Sequence, residues 1–258
     1  MTTTNNCQNC NNQFSGEFCN NCGQKRVHRI TMAHLGHDMV HAFTHTDKGF
    51  FHLLLKLFVK PGVVAREYIA EGKRKRYFTP FQYLIIIGTI AAFVAANSHF
   101  LETTTAALGG SDVYSARQLA FMQKINSFQT RYYNFMILLQ LPFYAFATRM
   151  VYKKHPYNFA ELLTLQTFVS AQTTLIGMLI MLSIFVTGKA GGTMILIMVV
   201  VIICFQAFAY MQFFAESSFK GFLKATLANI IGIILFILFV MLIVLIYGIV
   251  TNSFTSKM

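Results

Sequence analysis

Residues 225–250 read ATLANIIGIILFILFVMLIVLIYGIV, a stretch with no charged side chain. A helix needs about 20 mainly apolar residues to cross the hydrocarbon core of a bilayer, so this stretch predicts a transmembrane helix. Four more apolar stretches precede it, at 81–101, 132–152, 162–186 and 194–215. Polar residues mark three of them: Asn97 to His99 close the first, Gln140 and Pro142 interrupt the second, and the third is unusually polar throughout. The expected fold is an all-α polytopic membrane protein of about five transmembrane helices over residues 80–258.

Composition agrees. The chain of 258 residues is 55% hydrophobic and only 12% charged, against about 25% charged in soluble domains. The charges crowd between Lys25 and Arg76. Orientation follows from the Lys and Arg of the loops. Sixteen lie before the first span, around 149–154 and at Lys220 and Lys224, against five on the other side (Arg117, Lys124, Arg131, Lys189 and Lys257). That bias predicts a cytoplasmic N-terminus, an outside C-terminus and a bacterial inner-membrane location. Met1 to Gln13 has no apolar run like that of a signal peptide, so the first span is expected to do the targeting. In the outer loop, Phe121, Ile125 and Phe128 at i, i+4 and i+7 predict a short helix on the outer leaflet.

Four of the five cysteines fall in two knuckles, Cys7-x-x-Cys10 and Cys19-x-x-Cys22. Paired thiolates at this spacing suit a tetrahedral structural zinc ion, whose binding supplies folding energy that a segment with only Phe14 and Phe18 as core lacks. Four free thiols or two disulfides are the alternatives; a reducing compartment favours Zn2+. Residues 1–24 are therefore expected to form a cytoplasmic zinc ribbon. Four thiolates close the coordination shell, so the ribbon reads as a folded contact module for a protein partner.

Residues 25–79 read as basic amphipathic helices at the cytoplasmic surface, about 31–58 and 62–72, broken at Pro61-Gly62. The first carries His34, His37, His41, His45 and His52 within about 80° of one helical face, near Asp38 and with Asp47 close in sequence. The stripe is either the polar edge of an interfacial helix or a metal or proton site built on His37, His41, His45, Asp38 and Asp47. A second metal there would make the chain a membrane metalloenzyme or metal-linked transporter. The run Lys73, Arg74, Lys75, Arg76 and Tyr77 abuts the first span. It reads as a positive-inside anchor or a lipid-headgroup site, with anionic phospholipid as partner. The net charge of +12 raises nucleic acid as a partner, but cations beside a hydrophobic span face lipid first.

In the third span Gln166, Thr167, Ser170, Thr173 and Thr174 share one face within about 120°. Such a face serves interhelical packing or lines a substrate pathway, with Glu161 the nearest acid. No P-loop, nucleophile elbow or His-Glu-x-x-His appears, and a catalytic residue set is not legible. The balance is against an enzyme.

Four segments together carry a resemblance: Phe18-Cys19-x-x-Cys22-Gly23-Gln24; His41-Ala42-Phe43-Thr44-His45-x-Asp47-Lys48-Gly49-Phe50; Pro61-Gly62; and Tyr68-Ile69-x-x-Gly72-Lys73-Arg74-x-x-Tyr77-x-x-Pro80. Over roughly the first 85 residues the chain resembles an uncharacterised bacterial zinc-ribbon membrane-protein family, the domain of unknown function 3667. The resemblance implies a zinc-ribbon inner-membrane protein and supplies no activity.

Overall fold

A computed structural model of the chain describes residues 5–33, 35, 49–97, 115–187 and 192–250. His34, His37, Asp38, His41, His45 and Asp47 lie outside the described residues. The order is β1 (Asn5–Asn6), β2 (Gln13–Phe14), α1 (Phe50–Val59), α2 (Pro61–Ile69), a 3-10 turn (Arg74–Arg76), α3 (Pro80–Asn97), α4 (Ala116–Arg131), α5 (Tyr133–Val151), α6 (Phe159–Thr187), α7 (Gly192–Phe214) and α8 (Phe219–Val250). The all-α expectation holds for the bulk of the chain; β1 and β2 form one small antiparallel pair within the cysteine knuckles.

Among the described residues, four helical segments are long and apolar enough to cross a membrane: Arg74–Asn97, Phe159–Leu182, Ile195–Phe214 and Phe219–Ile246. These match the first, third, fourth and fifth expected spans. At the second expected span stands α5, 19 residues long. It is less apolar than the others because Asn134, Gln140, Pro142 and Arg149 interrupt it. It packs in the bundle against α8, α6 and α3.

The bundle centres on α6, which packs against α3, α5, α7 and α2. Its first turn is held by a reciprocal capping box: Glu161 N–H donates to Asn158 Oδ1 at 2.8 Å, and Asn158 N–H to Glu161 Oε2 at 2.7 Å. The expected break at Pro61-Gly62 is present, with Pro61 opening α2, where its missing N–H is no loss. α2 buries Val64, Ala65, Tyr68 and Ile69 against α7 and α6. Gly62 makes this possible, since a Cβ there would stand 2.0 Å from Ala209 O and 2.4 Å from Phe213 N. Gln212 of α7 seals the junction, accepting from Gly62 N–H at 3.1 Å and donating to Val59 O at 3.4 Å.

α1 buries Leu53 and Leu57 but exposes Phe51, Leu55 and Val59, an apolar outer face beside the bundle. The expected outer-leaflet helix is α4. Ser115 and Gln118 cap it reciprocally, and Phe121 and Phe128 stay exposed.

Candidate metal centre and its seat on the bundle

The two knuckles fold alike. In the first, Asn11 N–H donates to Cys7 O at 2.8 Å and Cys7 N–H to Asn12 O at 2.9 Å; in the second, Gly23 N–H donates to Cys19 O at 2.8 Å and Cys19 N–H to Gln24 O at 2.9 Å. Each turn closes on a left-handed residue, Asn11 at φ 58° and Gly23 at φ 71°. Asn and Gly are the residues that adopt this conformation at least cost. Phe14 is buried beside Cys7 and Cys19, whereas Phe18 is 59% exposed under Lys25. The expected two-phenylalanine core is thus a single phenylalanine and the sulfurs, because Phe18 lies on the outward side of its bridge to Lys25.

The ligand atoms of Cys7, Cys10, Cys19 and Cys22 lie within 4.8 Å of one another. Cys7 Sγ is 3.5 Å from Cys22 Sγ, and Cys10 Sγ is 3.6 Å from Cys19 Sγ. A tetrahedron of sulfurs about 2.3 Å from zinc has edges of roughly 3.8 Å, so the donor set fits such an ion. Electrostatics point the same way. Backbone N–H groups of Cys22 and Asn21 draw the Cys19 thiol down to about 6. The Asn12 N–H favours the Cys10 thiolate, but burial and the neighbouring sulfurs outweigh it and push that thiol up to about 11. Sulfurs this close cannot all ionise without a cation among them. The metal would tie the two knuckles together; its shell of four protein ligands leaves no position for a substrate.

The ribbon is seated on the helices. Gln24, 4% exposed, donates from Nε2 to Gly72 O at 3.1 Å and accepts Lys75 N–H at 3.2 Å. Gly72 (φ 67°) is pressed against the ribbon: a Cβ would lie 1.7 Å from Gln8 Oε1 and 2.9 Å from Val27 Cγ1. Farther along, Arg29 grips Glu161 with Nε to Oε1 at 2.8 Å and Nη2 to Oε2 at 3.0 Å. Asn158 Nδ2 donates to Ile30 O at 3.0 Å. Glu161, the acid nearest the polar face by sequence, is therefore engaged as cap of α6 and partner of Arg29.

The basic run is largely answered from within the chain. Lys73 lies 2.7 Å from Glu71 Oε2 and 3.8 Å from Glu67 Oε1, and Arg76 lies 3.8 Å from Glu67 Oε2. Arg74 donates to His28 O at 2.8 Å. Burial raises the Glu67 carboxyl, but the Tyr77 hydroxyl and the charges of Lys73, Arg76 and Lys56 outweigh it and hold it below the usual range. Lys75 stays exposed. His52, the described member of the histidine stripe, stacks on Tyr77 with ring centres 6.2 Å apart.

Of the polar face, Gln166, Thr167, Ser170 and Thr173 are buried and Thr174 is partly buried. Gln166 ties three helices: Nε2 donates to Thr148 Oγ1 of α5 at 3.0 Å, and Oε1 accepts from the Tyr210 hydroxyl of α7 at 2.8 Å. The hydroxyls of Thr164 and Thr167 donate back to carbonyls one turn earlier. Gln172, off the expected face, accepts from Tyr83 of α3 at 2.7 Å. The last two spans are less plain than their sequence suggested. Asn229 is fully buried with neither amide atom hydrogen-bonded among the described residues, and Gln206 and Thr226 each bury an unpaired oxygen.

No curated protein and no solved structure matches the chain. Residues 47–92, from just before α1 into α3, match the family model DUF3667, a protein family of unknown function, so the expected likeness to the domain of unknown function 3667 is borne out over that segment, which includes the ribbon's seat at Gly72.

Proposed function

We propose that this is a five-span protein of a bacterial cytoplasmic membrane, with its N-terminus in the cytoplasm and a four-cysteine zinc ribbon as a fixed contact platform rather than a catalytic centre. The platform presents a surface to a protein partner or to anionic lipid. The observation that carries this is the seating of the ribbon. Gln24 on the Gly72 loop and Arg29 on Glu161 hold it against the bundle end where α3, α6 and α8 begin and α5 and α7 end. A ribbon rigidly placed at the membrane surface has a defined orientation toward whatever binds there. The 16-to-5 distribution of Lys and Arg supports this end as cytoplasmic, and the interhelical bonds of α5 support it as a span beside the other four. The alternative, a second metal on the His34–His52 stripe serving an enzyme or transporter, rests on the sequence pattern.

The test is proximity crosslinking in membranes, comparing wild type with Cys19→Ser. Wild type is expected to carry about one zinc per chain and a reproducible neighbour, protein or anionic lipid. Cys19→Ser is expected to lose both, and protease should cut within residues 5–33 while the spans stay intact, because helix hydrogen bonds are satisfied within each span. An unchanged neighbour set after metal loss would overturn the platform reading. Reporter fusions at Lys154 and Met258 are expected on opposite sides of the membrane; finding both in the cytoplasm would overturn the five-span topology.

A further inference from the structure

Beside the ribbon's seat, a cleft of about 360 Å³ opens between the ribbon linker, the end of α5, the loop to α6 and the end of α7. Its cationic wall comes from Arg29, Arg149 and Lys153, with the His155 imidazole beside them, and its inner wall from Tyr152 and Phe214. The volume falls within the range of small-molecule sites, roughly 300–1,000 Å³. We propose that this cleft is a binding site for a phosphate oxyanion at the membrane surface, the headgroup of an anionic phospholipid or a soluble phosphate ester.

The charge balance carries the proposal. Among the described residues no carboxylate lines the cleft. Arg29 is answered by Glu161 through Nε and Nη2, which leaves Nη1. His155 lies 3.9 Å from Glu216 Oε1, but that oxygen is only 2.5 Å from Lys224. Lys153 has no ion pair or hydrogen bond among the described residues. Arg149 donates Nη1 to Tyr157 O at 3.0 Å, which fixes the guanidinium and leaves its other N–H groups for two oxygens of one phosphate. The cleft also holds a buried donor without an acceptor: Tyr152 is 3% exposed and its hydroxyl has no partner among the described residues. Its ring is locked by stacking on Phe214, centroids 3.7 Å apart and 8° from parallel. Buried polar groups without partners are few in native proteins and call for an explanation. The contrast with the Lys73–Arg76 run is direct, since Glu67 and Glu71 neutralise much of that run while the cleft retains surplus positive charge.

The surroundings favour the lipid source. Phe146 and Met150 of α5 are each about half exposed, an apolar strip leading up to Arg149 along which an acyl chain can lie. A competing role for Arg149 and Lys153 is to complement the carbonyl end of α5, which would change stability and leave anion binding untouched.

The experiment uses the full chain in neutral detergent, with phosphatidylglycerol retention read by native mass spectrometry and glycerol 3-phosphate as the soluble competitor. The double variant Arg149→Gln/Lys153→Gln is compared with Lys75→Gln/Lys154→Gln, which removes the same charge outside the cleft. The cleft pair is expected to weaken retention roughly tenfold or more and the control pair much less. Arg149→Lys, which keeps the charge, is expected to fold as wild type does and to retain part of the binding. Equal losses in both double variants, or none in the cleft pair, would overturn the site. Displacement by millimolar glycerol 3-phosphate would identify a soluble phosphate as ligand, and its failure to displace would identify the lipid headgroup. Protein neighbours of the ribbon are read separately, so this proposal and the platform can fail independently.

Discussion

α6 and α8 are opposites. Among the four described helices apolar enough to span a membrane, α6 is the least apolar and the most enclosed, with 61% of its most apolar stretch buried, whereas α8 is the most apolar and only 11% of its most apolar stretch is buried. In a water-soluble protein the ranking would run the other way. Here the surrounding medium is hydrocarbon, so greasy side chains gain nothing by turning inward, and polar ones have every reason to find one another. Within α8 the same rule holds: Asn229 is buried, while Ile230, Ile234, Leu238 and Met241 face out.

The largest effect expected from this contrast is at Ile234, near the middle of α8 and 49% exposed. Ile234→Lys puts an ammonium among acyl chains at a cost of about 3 kcal/mol. The membrane-inserted, protease-resistant fraction should fall sharply; normal insertion would show that this face is covered by protein or water. Next comes Gln166→Leu, which strips the Tyr210 hydroxyl of its acceptor and the Thr148 hydroxyl of a donor. Its expected cost is about 1–2 kcal/mol, read as a lower thermal midpoint in detergent with insertion unchanged. Tyr83→Phe removes the one bond to Gln172 and should cost about 0.6 kcal/mol. Leu238→Ala, on the open face of α8, should stay within about 0.5 kcal/mol of wild type. A drop as large as that of Gln166→Leu would mean α8 packs against another chain there.

Much of this contrast is legible in the sequence, because both ends of it are local. The 3.6-residue period alone puts Gln166, Ser170 and Thr173 on one face, and the cysteine spacing alone names the four sulfurs that the fold brings together. What escapes is whatever depends on distant partners. Gln172 lies off the polar stripe and becomes meaningful only when α3 brings Tyr83 to it. Arg149 and Lys153 count in the sequence as loop charges that set orientation; their convergence with His155 and Arg29 needs the ribbon linker folded back over the α5–α6 loop. Gly62 reads as part of a helix break, yet it also lets α2 touch the backbone of α7. Phe18 reads as core and is exposed, since two phenylalanines in a short segment do not reveal which side of the hairpin each occupies.

The grip of Arg29 on Glu161 joins residues 132 apart in sequence, and that distance imposes an order on biosynthesis. The knuckles are complete once residue 24 has left the ribosome, but in the proposed five-span topology the acid that anchors them is made only after two membrane crossings. In the interval the ribbon has the Gly72 loop as a partial seat and waits for the rest. A chain threaded with its second crossing missed would deliver Glu161 to the opposite face of the bilayer, leaving Arg29 unmatched and the cap of α6 stranded from its counterpart. In that topology the ion pair can close only when the helices before it have been laid down in the correct sense.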